Sequence, residues 1–110
     1  MVEAVREEQG RLVIGLDGEI DLDRAPKLRN LLLDCVGRGR DVLVDLSQVT
    51  YIDSSGIASL VESLQKAAGN GTRFGLIAVS PEVMRVFELA RLDKVFAIYP
   101  DFDAAKAVVS

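Results

Sequence analysis

Apolar residues change their period several times along this chain, and that succession restricts the fold more than any single motif does. Val2 and Ala4 alternate with Glu3 before charge takes over, and Leu12, Ile14 and Leu16 alternate with smaller or polar partners after the turn Glu8-Gln9-Gly10. Period two on both sides of a glycine-containing turn predicts an N-terminal β-hairpin. From Asp21 the spacing becomes helical, with Leu28, Leu31, Leu32, Cys35 and Val36 on one face and Gly37 and Gly39 as stop signals. Asp21 or Asp23 is placed to cap that helix, and Pro26 is tolerable in its first turn.

Val42, Leu43, Val44 and Leu46 then form a short apolar run, the pattern of a central strand covered on both faces. Beyond a connection and the pair Ser54-Ser55, the residues Ile57, Leu60, Val61, Leu64 and Ala68 define a helical stripe that Gly69-Asn70-Gly71 ends. Phe74 to Val79 reads as the next strand, and Ser80-Pro81 as a helix start in which Ser caps and Pro is preorganised. Val83, Val86, Phe87 and Ala90 form that helix's inner face. A strand at Val95 to Tyr99 and a short helix from Asp101, with Ala104, Ala105, Val108 and Val109 apolar, complete the chain. The predicted order is ββαβαβαβα. Strands alternating with helices after a hairpin imply right-handed crossovers and a mixed, mostly parallel sheet with helices packed against it, an α/β class.

The 110 residues suit a single domain spanning 1–110, and 49% hydrophobic with 27% charged residues is a globular balance. Aromatic residues make up only 5% and tryptophan is absent, so aliphatic side chains must fill the core. The net charge is −4 with Lys and Arg scattered, which disfavours nucleic acid as a partner. Cys35, the one cysteine, falls on an apolar helix face and reads as a small buried hydrophobe. No basic start with an apolar run opens the chain and no apolar stretch has spanning length. A cytoplasmic protein with no membrane insertion is therefore expected.

Catalysis finds little support. Without histidine there is no Ser-His-Asp triad and no customary general base or metal ligand. Asp53-Ser54-Ser55-Gly56 lacks the glycine two residues before the serine that a nucleophile elbow needs. Gly37-Arg38-Gly39 and Gly69-Asn70-Gly71 have neither the spacing nor the placement of a dinucleotide cradle. Asp17, Glu19, Asp21 and Asp23 put four acids in seven residues, yet not at the spacing of a calcium loop, and read as capping plus a solvated acidic loop. The reading is a protein that is not an enzyme and has no cofactor.

Ser54 admits two readings on local grounds. It is a good N-cap, whose oxygen satisfies a free helix amide. Two successive hydroxyls followed by Gly56, taken to leave open space beside them, also describe a site that a kinase reaches.

Val44 to Ile57, with Gly18-Glu19-Ile20-Asp21 upstream and Ser80-Pro81-Glu82-Val83-Met84-Arg85-Val86-Phe87 through Leu92 downstream, resembles the sulphate-transporter and anti-sigma-antagonist (STAS) domain. Tyr51-Ile52-Asp53-Ser54-Ser55-Gly56 after an Asp-Leu-Ser strand end is its most specific part, and the likeness is greatest to bacterial anti-sigma factor antagonists. That resemblance implies the STAS fold and one arm of a partner switch. The unphosphorylated protein binds an anti-sigma factor that is also a serine kinase, releasing a sigma factor. The kinase phosphorylates the first serine of the motif, here Ser54, and a serine phosphatase resets it. Asp53, Ser55, Gly56, Ile57, Ala58, Ser59 and Glu62 would form the docking surface, with Asp21 and Asp23 on the loop beside it; Gln65 and Lys66 continue the same helix face. The resemblance departs at Ala58, where many relatives carry a second glycine. Its alternative is an accessory subunit docked on the permease of a lipid-type transporter.

Overall fold

The computed structural model describes residues 4–106. In chain order they form β1 (Ala4–Glu8), β2 (Arg11–Ile20), α1 (Ala25–Gly37), β3 (Val42–Ile52), α2 (Ser54–Asn70), β4 (Phe74–Ile77), α3 (Pro81–Leu89), a 3₁₀ turn (Leu92–Lys94), β5 (Ala97–Tyr99) and α4 (Phe102–Lys106). The sheet order is β1-β2-β3-β4-β5, with β1 antiparallel to β2 and every later pair parallel. The expected element order and mixed sheet are both found. Of the apolar positions expected to flank them, Val2, Val108 and Val109 lie outside the described residues.

The hairpin turns at Gln9-Gly10, both at positive φ (53° and 82°), as a two-residue loop requires if it is to match the right-handed strand twist. Each later crossover steps one strand further in the same direction, so α1, α2 and α3 collect on one face. There Leu12, Ile14, Leu16, Val42, Val44, Leu46, Phe74 and Leu76 meet Leu28, Leu32, Cys35 and Val36 of α1, Leu60 of α2, and Val83 and Phe87 of α3. Full burial of each Leu, Ile or Val side chain contributes roughly 1.5–3 kcal/mol. Strand alternation sends Val13, Leu43 and Ile77 to the other face, against Ala105 and Phe102 of α4 and Tyr99. Phe96 stacks on Phe87 with centroids 5.7 Å apart. Cys35 is fully buried, and burial pushes its thiol pKa up.

Four boundaries differ from expectation. α1 begins at Ala25, because Asp21 closes a turn ahead of it: its carboxylate and its carbonyl both accept from the Arg24 amide (3.2 and 3.1 Å). Arg24 occupies the cap position without a side-chain bond, so neither Asp21 nor Asp23 caps the helix. β3 does not stop at Leu46 but runs to Ile52, leaving Asp53 alone between strand and helix. Its register against β2 shifts twice, between Gly15 and Asp17 and again between Gly18 and Glu19, each time with an extra residue on β3. The two bulges turn the burial period from two to three, so Leu46, Val49 and Ile52 point inward with polar pairs between. β4 ends at Ile77, since Ala78 adopts φ 53°, and Val95 closes the 3₁₀ turn instead of opening β5.

The buried line of α2 is also displaced. Gly56, Ser59, Leu60, Ser63 and Ala67 are buried, whereas Ala68 is exposed and Ile57, Val61 and Leu64 are half-buried. Small residues fill this line, and the two serines satisfy themselves by donating one turn back, Ser59 Oγ to the Ser55 carbonyl (3.2 Å) and Ser63 Oγ to the Ser59 carbonyl (2.8 Å). α3 starts as expected: Ser80 Oγ accepts from the Val83 amide (3.4 Å), and Pro81 follows. The same hydroxyl donates to the Val49 carbonyl at 2.6 Å, fastening α3 to the far end of β3.

Candidate functional site

At the finishing end of β3 the chain turns into α2 through one residue. The Asp53 amide donates to the Ile20 carbonyl (3.1 Å), pinning the end of β3 to the end of β2. With its backbone extended (φ −104°, ψ −175°), Asp53 is the N-cap: Oδ1 accepts from the amides of Ser55 (2.9 Å) and Gly56 (3.2 Å). The Ser55 hydroxyl donates to the same oxygen, and the Leu22 amide bonds the carboxylate from the β2–α1 turn. The Ser55 hydroxyl is the largest cause that holds the Asp53 carboxyl below the ordinary carboxylate range; desolvation opposes it, and the amides of Gly56, Ser55 and Leu22 each add a smaller lowering effect.

Capping therefore falls to Asp53, and Ser54 is the first helical residue, exposed, with its hydroxyl bonded to none of the described residues. Asp caps as well as Ser does, and the strand's continuation to Ile52 makes Asp53 the first residue free to do so. What surrounds Ser54 is a helix N-terminus, where unpaired amides and the helix dipole favour added negative charge.

Gly56 has the opposite environment to the open space expected of it. A Cβ there would lie 2.7 Å from Ile20 Cγ2 and 2.8 Å from Ile52 Cγ1, so the glycine lets α2 sit directly on the ends of β2 and β3. Ser59 is likewise buried, yet it lines the groove between α1 and α2. Ala58 is exposed, Ile57 half-buried against the core, and Glu62 half-buried. Glu62 forms a two-point ion pair with Arg29 of α1 (2.7 and 2.6 Å), which lowers the carboxyl pKa and raises that of the guanidinium. Gln65 and Lys66 are exposed, and Lys66 Nζ donates to the Leu33 carbonyl (3.1 Å).

Ser55, Ala58, Ser59 and Glu62 share a shallow, mostly apolar groove with Leu22 of the β2–α1 turn and Ala25, Pro26 and Arg29 from the start of α1. Leu22 is 71% exposed at its mouth. The α1 side of this groove was missing from the sequence reading, and an exposed leucine inside the acidic run Asp21-Leu22-Asp23 was the available signal.

Asp21 and Asp23 face a separate, wide concavity with Asp17, Glu19 and Gln48. Leu22, between them, links this turn to the Ser54 end of α2 through its amide on the Asp53 carboxylate. Beneath them Arg24 is buried, its Nη1 donating to the carbonyls of Asp17 and of Glu19 (3.1 Å), which fixes the end of β2 that faces the bulges of β3. Among the described residues no group of three or more His, Cys, Asp or Glu side chains is placed to hold a metal ion, and no helix is long and apolar enough to cross a membrane.

The STAS domain family matches residues 3–105. The anti-sigma-B factor antagonist of Bacillus subtilis is 28% identical over 94 residues, 86% of each chain. A solved anti-sigma factor antagonist from Mycobacterium paratuberculosis is 33% identical, covers 97% of this chain and 92% of its own, and superposes with a TM-score of 0.85. SpoIIAA, an anti-sigma factor antagonist solved unphosphorylated and phosphorylated, shares the fold at 18% and 19% identity. The TM-scores are 0.78 and 0.72, over 99% and 98% of this chain and 100% of each SpoIIAA chain. With the strand-to-helix junction built as described, the chain belongs to the STAS domain family and, within it, to the anti-sigma factor antagonists.

Proposed function

We propose that this protein acts by binding rather than by catalysis, docking on an anti-sigma factor that is also a serine kinase and so releasing a sigma factor. Phosphorylation of Ser54 ends the interaction and a serine phosphatase restores it, all in the cytoplasm. One observation carries this reading: Ser54 is exposed at the first position of α2 with a hydroxyl bonded to none of the described residues, while the Asp53 side chain supplies the cap. Esterifying Ser54 therefore breaks no hydrogen bond that holds the helix. The support from relatives is the name anti-sigma-B factor antagonist and the existence of SpoIIAA in a phosphorylated form.

A phosphoserine adds about −1.5 to −2 charges. Here that charge stands next to the Asp53 carboxylate and one residue before Ser55, which lines the groove between α2 and the start of α1. A partner that fits the neutral hydroxyl then meets an anion and its hydration shell. Because a helix N-terminus accommodates the charge, the switch works by local repulsion and blocked docking, not by unfolding. The test is incubation with MgATP and a serine-kinase anti-sigma factor, followed by mass-spectrometric mapping. Phosphate on Ser54, lost in Ser54→Ala, supports the reading; phosphate confined to Ser55, or none, overturns it.

A further inference from the structure

Of the large apolar side chains that the described surface leaves open, Leu22 alone borders the groove between α1 and α2. A single exposed leucine carries little meaning, but this one continues into Ala25, Pro26 and Ala58 as one apolar patch. Its backbone is fastened on every side. The Asp21 carbonyl accepts from the amides of Arg24 and Ala25 (3.1 and 2.9 Å), and the Leu22 amide bonds the Asp53 carboxylate. Below, the Arg24 guanidinium holds the carbonyls of Asp17 and Glu19. A side chain held out on a fixed turn has only its own rotamers to lose on docking, so the ordering cost is small.

The groove itself, about 350 Å³, is electrically neutral although the chain carries a net charge of −4. Arg29 and Glu62 are its only charged lining residues, and their two-point pair at 2.7 and 2.6 Å cancels them. Asp21 and Asp23 line the separate concavity instead. A charged segment entering the groove would give up hydration without meeting a free opposite charge, whereas an uncharged apolar one fits. We propose that the serine-kinase anti-sigma factor lays an uncharged, apolar segment in the α1–α2 groove. Leu22 is the anchor that enters an apolar hollow of that partner, and the Arg29–Glu62 pair is the element that rejects charged segments. The assignment rests on the docking at Ser54 proposed above and deepens it. An apolar partner face offers no cation to a phosphate on Ser54, so a charge that the helix accepts is one that the complex does not.

The experiment measures, by calorimetry, the affinity of the unphosphorylated protein and its variants for a serine-kinase anti-sigma factor. Leu22→Ala is expected to weaken binding about tenfold or more, by the same factor in about 0.1 and 0.5 M salt, because an apolar contact is not screened. Its Tm should stay within about 3 °C of the parent, since the side chain is exposed. Leu22→Met should recover most of the loss, and Leu89→Ala, which removes a leucine 81% exposed at the end of α3, should leave affinity unchanged. Arg29→Gln or Glu62→Gln, each uncovering one charge, should weaken binding about fivefold or more, and the double variant, neutral again, should recover it. Leu22→Ala binding as tightly as the parent, a Leu22 effect that disappears in high salt, or single Arg29 and Glu62 variants without effect would each overturn the apolar anchor while leaving the docking at Ser54 standing. A parent that does not bind the anti-sigma factor at all would overturn that docking, and the anchor with it.

Discussion

Gly56→Ala tests how α2 is seated. In an isolated helix the change favours folding by about 1 kcal/mol, since alanine loses less backbone entropy than glycine. Here the new methyl would stand 2.7 Å from Ile20 Cγ2 and 2.8 Å from Ile52 Cγ1. Those atoms sit next to the β-carbons of stiff, branched side chains that are 0% and 3% exposed, so neither can swing away. Moving two isoleucines off their rotamers costs about 0.5–1.5 kcal/mol each, and overpacking of this kind costs about 1–3 kcal/mol in total. After subtracting the helix gain, a net loss of about 0–2 kcal/mol remains, and its midpoint of about 1 kcal/mol lowers Tm by about 4–8 °C in a domain of this size. Urea unfolding at constant slope gives the free energy directly. The mechanism is separable, because in an Ile20→Ala background only the contact with Ile52 remains and the cost of Gly56→Ala should fall by about half. A single variant as stable as the parent, or more so, would refute the close seating of α2.

Ser80→Ala removes both the α3 cap and the 2.6 Å bond to the Val49 carbonyl, and a loss of about 1–2 kcal/mol is expected in the same unfolding assay. The Asp53 carboxyl, observed by carbon-detected NMR titration, should show a midpoint below the ordinary value of about 3.9, and Ser55→Ala should raise it by removing its largest depressing contact. A depressed folded-state pKa means that the stabilisation is complete above the unfolded carboxylate range and is lost as pH falls through the lower, folded value. Asp53→Asn should accordingly flatten the acid limb of the stability curve, a change read from Tm against pH between about pH 2 and 5.

The succession of elements was legible because strand and helix periods differ and because Gln9-Gly10, Ser80-Pro81 and Gly71 punctuate them by local chemistry. β3 beyond Leu46 was not legible, since two bulges against β2 replace the alternation that marks a strand with inward residues at every third position. The inner line of α2 was missed because Gly56, Ser59 and Ser63 carry no hydrophobic signal, and serines hide their polarity by bonding back along the helix. For the site, the motif located the junction but not the division of labour within it. Assigning the cap to Asp53 needs the strand's true end, and only packing shows that Gly56 is required beneath the helix rather than beside the serine. The start of α1, which completes the groove, comes from a segment remote in sequence.

The most direct test compares unmodified and Ser54-phosphorylated protein for affinity to the serine-kinase anti-sigma factor while recording both amide spectra. Like charge placed in a docking surface costs several kcal/mol, so binding should weaken by about a hundredfold or more. Spectral changes should stay within residues 20–24 and 52–62, with the rest of the sheet unmoved. Undiminished affinity, or lost affinity accompanied by shifts throughout the core, would contradict a charge switch on an intact surface.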